Sequence, residues 1–183
     1  DRDGWHMRMV GLVEDKLSFL VAPDPMPNFL GGGASAPAGS IFELRYDRPV
    51  SLLARRIAQH GGAALIIDYG HVETSVGDTL QAVRQHKFAD PLEAPGEADL
   101  TSQVDFEAAG RWAARHGAVA HGPVTQGAFL GCLGIAERAA QLKRNATPQQ
   151  AADIDAALTR LIAPGEMGEL FKVLAIADPK HGA

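Results

Sequence analysis

Three observations predict an α/β fold for this chain. The run Ala63–Ile67 is apolar, too short for a globular helix, and bounded by Gly61-Gly62 before it and Asp68-Tyr69-Gly70-His71 after it, which marks a buried strand closed by turn-forming groups. A helical pattern over Pro49–His60, stopped by Gly61, leads into that strand. The same order of helix, glycine and strand returns at Phe106–His116, Gly117 and Ala118–Val124. Helices alternating with strands in this way pack on the faces of a sheet. Ligands of such sheets sit beyond the carboxyl ends of the strands, so Asp68, Tyr69, Gly70 and His71 are the first candidates for a site.

The elements follow in order. Trp5–Val13 and Leu17–Ala22 read as a β-hairpin with Glu14-Asp15-Lys16 between its strands. Pro23–Gly39 is rich in proline and glycine and is expected to be a mobile loop. Its Gly31-Gly32-Gly33 lacks the Lys-Ser/Thr of a phosphate-binding loop. Ile41–Leu44 is expected as a short strand. Asp47 can cap the helix Pro49–His60, whose Leu52, Leu53 and Ile57 share a face. After His71 comes a long excursion to Thr101, in which Thr79–Val83 fits strand or helix and Pro91, Pro95 and Gly96 make a segment of the kind that covers sites. Asp105 is a good N-cap for Phe106–His116. Gln126–Leu133 and Ile135–Lys143 read as helices divided by Gly134. Pro148–Ile162 reads as an amphipathic helix capped by Thr147, with Ile154, Leu158, Leu161 and Ile162 on one stripe. Met167-Gly168 makes a turn before a last strand, Phe171–Ala177. No internal repeat is present.

Composition narrows the function. A chain of 183 residues, 46% hydrophobic and 21% charged, suits one globular domain. A net charge of -5 and a pI near 5.8 argue against a nucleic-acid partner, since phosphate binding needs clustered basic residues and Arg55-Arg56 and Lys143-Arg144 read as solvated helix faces. The single cysteine, Cys132, excludes an internal disulfide; its apolar run Phe129–Leu133 places it in the core, and a reducing compartment is expected. No apolar stretch approaches the roughly 20 residues of a membrane helix, so no membrane partner is expected. The chain opens Asp1-Arg2-Asp3-Gly4-Trp5 without an initiator methionine, which suggests a piece of something longer or a segment removed in the cell.

Chemistry can then be tested against these candidates. The seven histidines are dispersed without metal-ligand spacing, and no Gly-x-Ser-x-Gly elbow for a serine nucleophile exists. His71 and His86 flank the excursion and are candidate general bases, because imidazole titrates near neutral pH. Thr125-Gln126 follows the strand Ala118–Val124, either to line the same cleft or to cap the next helix.

The ordered set of motifs is more telling than any member. Trp5 with Arg8 and Val10, Ile67-Asp68-Tyr69-Gly70, Gly77-Asp78-Thr79-Leu80-Gln81-Ala82, Asp90-Pro91-Leu92, Pro95-Gly96-Glu97-Ala98-Asp99-Leu100-Thr101, Val104-Asp105-Phe106, Thr125-Gln126-Gly127, Leu133-Gly134-Ile135 and Met167-Gly168 with Phe171-Lys172-Val173-Leu174 stand in one order. This resembles the carboxyl-terminal half of the MidA-like methyltransferases, the family of the mitochondrial complex I assembly factor that methylates arginine. The resemblance implies a Rossmann-like class I methyltransferase fold with an added β-hairpin and a helical excursion, residues 1–183 being the carboxyl-terminal part of one methyltransferase domain.

S-adenosylmethionine is then the expected methyl donor and a protein arginine the expected acceptor. Carboxylates pair with a guanidinium bidentately, so Asp68 and Asp99 are expected to orient it, with Tyr69, Gly70, His71, His86, Thr125 and Gln126 lining the pocket. Two departures stand out: Met7 replaces a family glutamate, and the family's Glu-x-Gly-x-Gly cofactor loop is absent, so no cofactor-binding residue is assigned here. The alternative is a non-enzymatic protein-binding or assembly module on the same scaffold; a small-molecule acceptor is a third reading. Self-association, or pairing with the amino-terminal half, is expected because a partial sheet exposes apolar edges. A bacterial cytoplasm or the mitochondrial matrix is the expected location.

Overall fold

The computed structural model describes residues 4–26, 36–45 and 48–181. In chain order the elements begin with β1 (His6–Val13), β2 (Lys16–Pro25), α1 (Arg48–His60) and β3 (Ala63–His71). Then come β4 (Gln81–Arg84), β5 (Lys87–Ala89), β6 (Asp99–Thr101), β7 (Val104–Asp105) and α2 (Phe106–Arg115). The carboxyl-terminal part holds β8 (Val119–Thr125), α3 (Gln126–Cys132), α4 (Ile135–Lys143), α5 (Pro148–Ile162), α6 (Met167–Leu170) and β9 (Phe171–Ala177). They form two compact units, Asp1–Leu44 with Ser75–Gln103 and Arg45–Thr74 with Val104–Ala183.

Among the described residues, the regular elements of the first unit are strands. β1 and β2 pair antiparallel, with Val10 opposite Phe19 and Leu12 opposite Leu17. Lys16 already pairs with Val13, so the connection is only Glu14-Asp15, and both adopt positive φ (49° and 60°), the mirror-image turn that right-twisted hairpins favour. β2 runs to Pro25, through the start of the expected loop, which a strand at a sheet edge tolerates. Gly31-Gly32-Gly33 lies outside the described residues. Ile41–Leu44 corrects an expectation: no ladder forms there, and the segment is fixed by the Gly77 N–H donating to the Ile41 carbonyl at 2.7 Å and by the Glu43 side chain. Within the excursion Gln81–Arg84 is strand, the centre of an antiparallel sheet of order β5-β4-β6.

The second unit carries a four-stranded sheet of order β7-β3-β9-β8. β9 runs antiparallel to both β3 and β8, and β7 joins parallel to the last two residues of β3, Gly70 opposite Val104 and His71 opposite Asp105. Alternation along β9 sends Leu174 and Ile176, both fully buried, toward Ala54 and Ile57 of α1 and Phe106, Ala109 and Ala113 of α2. Ile66 and Ala64 of β3 pack on the same core. α3, α4 and α5 form a helical excursion between β8 and β9. α5 starts on a full capping box of Thr147 and Gln150, and Gly61 and Gly134 take the positive φ that ends one helix and opens another. Asp47 lies outside the described residues.

Two further expectations are corrected. β3, expected over Ala63–Asp68, does not end at Asp68 but continues through His71, because β9 offers a ladder as far as Tyr69 and β7 takes over at Gly70. Gly70 makes that handover possible: a Cβ there would stand 2.1 Å from the Val104 carbonyl oxygen. Cys132 is exposed rather than core, because α3 makes its close contacts at its amino-terminal turn, through buried Gln126, and its last turn faces outward. Along Ala63–Tyr69 the edge of β3 away from β9 has no strand partner among the described residues, and Leu65 and Ile67 are about half exposed.

Candidate functional site

The register of the sheet places Asp68, Lys172 and Thr125 in one row across β3, β9 and β8, their side chains on one face. Asp68 accepts its neighbour's backbone N–H, that of Tyr69, at 2.8 Å through Oδ1. Lys172 does not pair with Asp68. Its ammonium donates to the Gly70 carbonyl at 3.0 Å and to the carbonyls of Glu169 and Leu170, clipping the end of β3 to the short helix α6. On the opposite face Tyr69 meets Phe171 edge-on, ring centroids 5.8 Å apart.

At the carboxyl end of β3 the chain assembles a polar cluster around Asp105. This aspartate is buried, and one oxygen accepts the Ala108 N–H at 2.9 Å as the N-cap of α2. The other accepts the Thr74 hydroxyl at 2.7 Å and lies 3.8 Å from Nε2 of His71. Thr74 in turn accepts from Arg111 at 3.0 Å and gives its backbone N–H to Glu107 at 2.6 Å. Arg111 and Glu107 close the ring as an i,i+4 ion pair at 2.6 Å. The Glu107 carboxyl is held below the usual carboxylate range, first by the Thr74 N–H and then by the Arg111 charge. Thr74, Glu107 and Arg111 are absent from the sequence-derived candidates. The available signal was the Glu107–Arg111 spacing on a helix whose cap adjoins a strand end.

The remaining candidates are placed as follows. Thr125 is the N-cap of α3, its hydroxyl accepting the Ala128 N–H at 3.3 Å. Gln126 is buried and donates to the Leu161 carbonyl at 2.9 Å, tying α3 to the end of α5. In the first unit Asp99 opens β6 opposite Val83 and is exposed, and His86 stands exposed in the β4–β5 turn at φ 61°. Asp68, Tyr69, Gly70, His71, Thr125 and Gln126 therefore belong to one unit, and Asp99 and His86 to the other.

The first unit has its own polar clips. Arg8 grips Asp78 with two hydrogen bonds, 2.7 and 3.1 Å, and stacks over Phe19 at 4.4 Å. The hydrogen bond from Arg8 holds the Asp78 carboxyl below its usual range. Glu43 takes both the backbone N–H and the hydroxyl of Thr79, at 2.9 and 2.6 Å.

The strand-to-helix turns into α2 and α3 are filled by the Asp105 and Thr125 side chains, and neither carries a glycine-rich cradle for an anionic or nucleotide group. Among the described residues no cluster suits a metal ion, and no helix is long and apolar enough to cross a membrane.

Residues 1–124 match the family described as "Putative S-adenosyl-L-methionine-dependent methyltransferase". The chain is 44% identical over 134 residues to the mitochondrial protein arginine methyltransferase NDUFAF7 homolog of Drosophila melanogaster, covering 73% of this chain and 30% of that protein. It is 37% identical over 182 residues to human mitochondrial protein arginine methyltransferase NDUFAF7, covering 94% of this chain and 40% of that one. Among solved structures, a COG1565 superfamily member and likely methyl transferase of Burkholderia thailandensis, bound to S-adenosyl-homocysteine, superposes with a TM-score of 0.73 at 27% identity, over 98% of this chain and 49% of that chain. The chain thus spans less than half the length of these relatives.

Proposed function

The chain belongs to this S-adenosyl-L-methionine-dependent methyltransferase family, and on that premise we propose that it is the carboxyl-terminal part of a methyltransferase domain acting on a protein arginine. The observation that carries the reading is the bound S-adenosyl-homocysteine, the spent methyl donor, in a structure that matches almost the whole chain. The arginine acceptor draws its support from the names of the fly and human relatives, as does a mitochondrial location; a place in complex I assembly is proposed on the family resemblance alone. A family of methyltransferases does not favour the non-enzymatic module.

Methyl transfer to nitrogen is an in-line displacement, so the protein must align the nucleophile, exclude water and remove a proton. Asp68 and Asp99 are the proposed guanidinium-orienting carboxylates, each tested by its own variant, and Tyr69, Gly70, His71, His86, Thr125 and Gln126 the proposed pocket residues. The open edge of β3 supports pairing with an upstream segment or a second copy. The first test is isothermal titration of S-adenosylmethionine into this chain and into the full-length protein. Binding by the full-length protein, with methylation lost in Asp68→Asn or Asp99→Asn, is the expected result. No binding by either turns the reading to protein assembly.

A further inference from the structure

We propose that His71 is the proton acceptor of this reaction and that Asp105, Thr74 and Arg111 are positioning residues that hold it ready; the assignment rests on the methyltransferase reading above. The argument begins with Asp105. Its carboxylate is buried, with one oxygen committed to the Ala108 N–H and the other to the Thr74 hydroxyl, so it has little capacity to take a proton from a substrate. It is well placed to stabilise a cation beside it. The one imidazole beside it is that of His71, whose Nε2 stands 3.8 Å from Oδ2 and whose side chain is 25% exposed, enough to be reached from solvent.

The second row of the cluster removes freedom from the first. The Thr74 hydroxyl has a single proton, and because it accepts from Arg111 it must turn that proton toward Asp105. The Arg111 guanidinium is itself held by Glu107, which also grips the Thr74 backbone. His71 is fixed from behind, since it pairs with Asp105 across the β3–β7 ladder and follows Gly70, whose carbonyl is clamped by Lys172. With Nε2 facing the carboxylate, Nδ1 is the free acceptor. A separation of 3.8 Å suits an ion pair and shortens to a hydrogen bond when the ring turns, as catalytic hydrogen bonds commonly do on substrate binding.

The step balances with the donor as co-substrate. The guanidinium nitrogen forms a bond to the sulfonium methyl, the carbon–sulfur bond breaks with its electron pair remaining on sulfur, and the N–H proton of the acceptor passes to Nδ1 of His71. The imidazolium so formed lies against the Asp105 carboxylate and later releases its proton to water.

The test uses the full-length protein with methyl-labelled S-adenosylmethionine and an array of arginine-centred peptides, beside titration of S-adenosylhomocysteine and nitrogen-15 NMR of the His71 ring. His71→Gln is expected to lower kcat on the order of a hundredfold or more, leaving KM and S-adenosylhomocysteine affinity within about twofold of wild type. Asp105→Asn keeps a good N-cap, so the helix stays; it should lower kcat roughly tenfold and move the His71 ring resonances. Activity of His71→Gln near that of wild type overturns the assignment, as does a loss that appears in KM or S-adenosylhomocysteine binding instead of kcat. Unmoved ring resonances in Asp105→Asn overturn the positioning role. A wild-type protein that neither binds S-adenosylhomocysteine nor transfers a methyl group overturns the methyltransferase reading, and this assignment with it.

Discussion

The two units of the chain are held by different forces. In the second, Phe106, Leu174 and Ile176 are fully buried and α1 and α2 close over one face of the sheet. In the first, Ala82 is the only buried residue among those described, and the hairpin leaves Val10, Leu12 and Val21 more than half exposed. What organises that unit is polar: Arg8 on Asp78 and Glu43 on Thr79. Apolar burial carries no titratable group and no charge to screen, whereas exposed ion pairs respond to both pH and ionic strength. A chain assembled from both kinds of cohesion should lose them separately.

Each unit contains one of the two tryptophans, Trp5 in the first and Trp112 in the second, so variants keeping one indole report on one unit. Leu174→Ala is the largest test: truncating a buried leucine typically costs about 2–5 kcal/mol. Trp112 fluorescence in urea should show that full loss of midpoint. If the Trp5 signal moves equally, the two units unfold as one and the contrast is broken. Gly70→Ala should cost less, about 1–3 kcal/mol, because the added methyl must push the Val104 carbonyl away and part β7 from β3 while the core beyond remains. Hydrogen exchange should then show faster opening at Val104 and Asp105 than at Leu174.

The smallest effect belongs to the first unit. Asp78→Asn removes a half-exposed pair and should cost less than about 1 kcal/mol, shrinking further in high salt, as read from Trp5. Its pH dependence fixes the sign. The carboxyl of Asp78 titrates lower when folded than when unfolded, so its contribution is complete above the ordinary carboxylate range and disappears as pH falls through the depressed value. The variant should lack that part of the acid transition. An equal acid response in wild type and variant would place the cohesion of this unit elsewhere.

The same contrast explains what the sequence disclosed. Pro148–Ile162 and Phe171–Ala177 match their expected bounds, since a capping box and a short run of strand formers are local signals. The carboxyl end of β3 is not legible locally, because Asp-Tyr-Gly reads as a turn until β9 and β7 supply distant partners. Thr79–Val83 fits strand or helix for the same reason, since the partners of the strand Gln81–Arg84, Lys87–Ala89 and Asp99–Thr101, carry little pattern of their own. His71 and Asp105 were each visible, one as a histidine after a strand and the other as a helix cap. Their meeting depends on a two-residue parallel pairing that no local pattern encodes.

The position of β9 also sets a timetable for biosynthesis. Among the described strands of the sheet it is the last to leave the ribosome, yet it lies between β3 and β8, each of which pairs with it and not with the other. Until it emerges, the growing chain carries three strands of an unfinished sheet, β7 beside β3 and β8 apart, that wait for a fourth. Nascent chains halted before Phe171 would therefore lack the sheet's organising strand and depend on holding factors to keep β3 and β8 from pairing elsewhere.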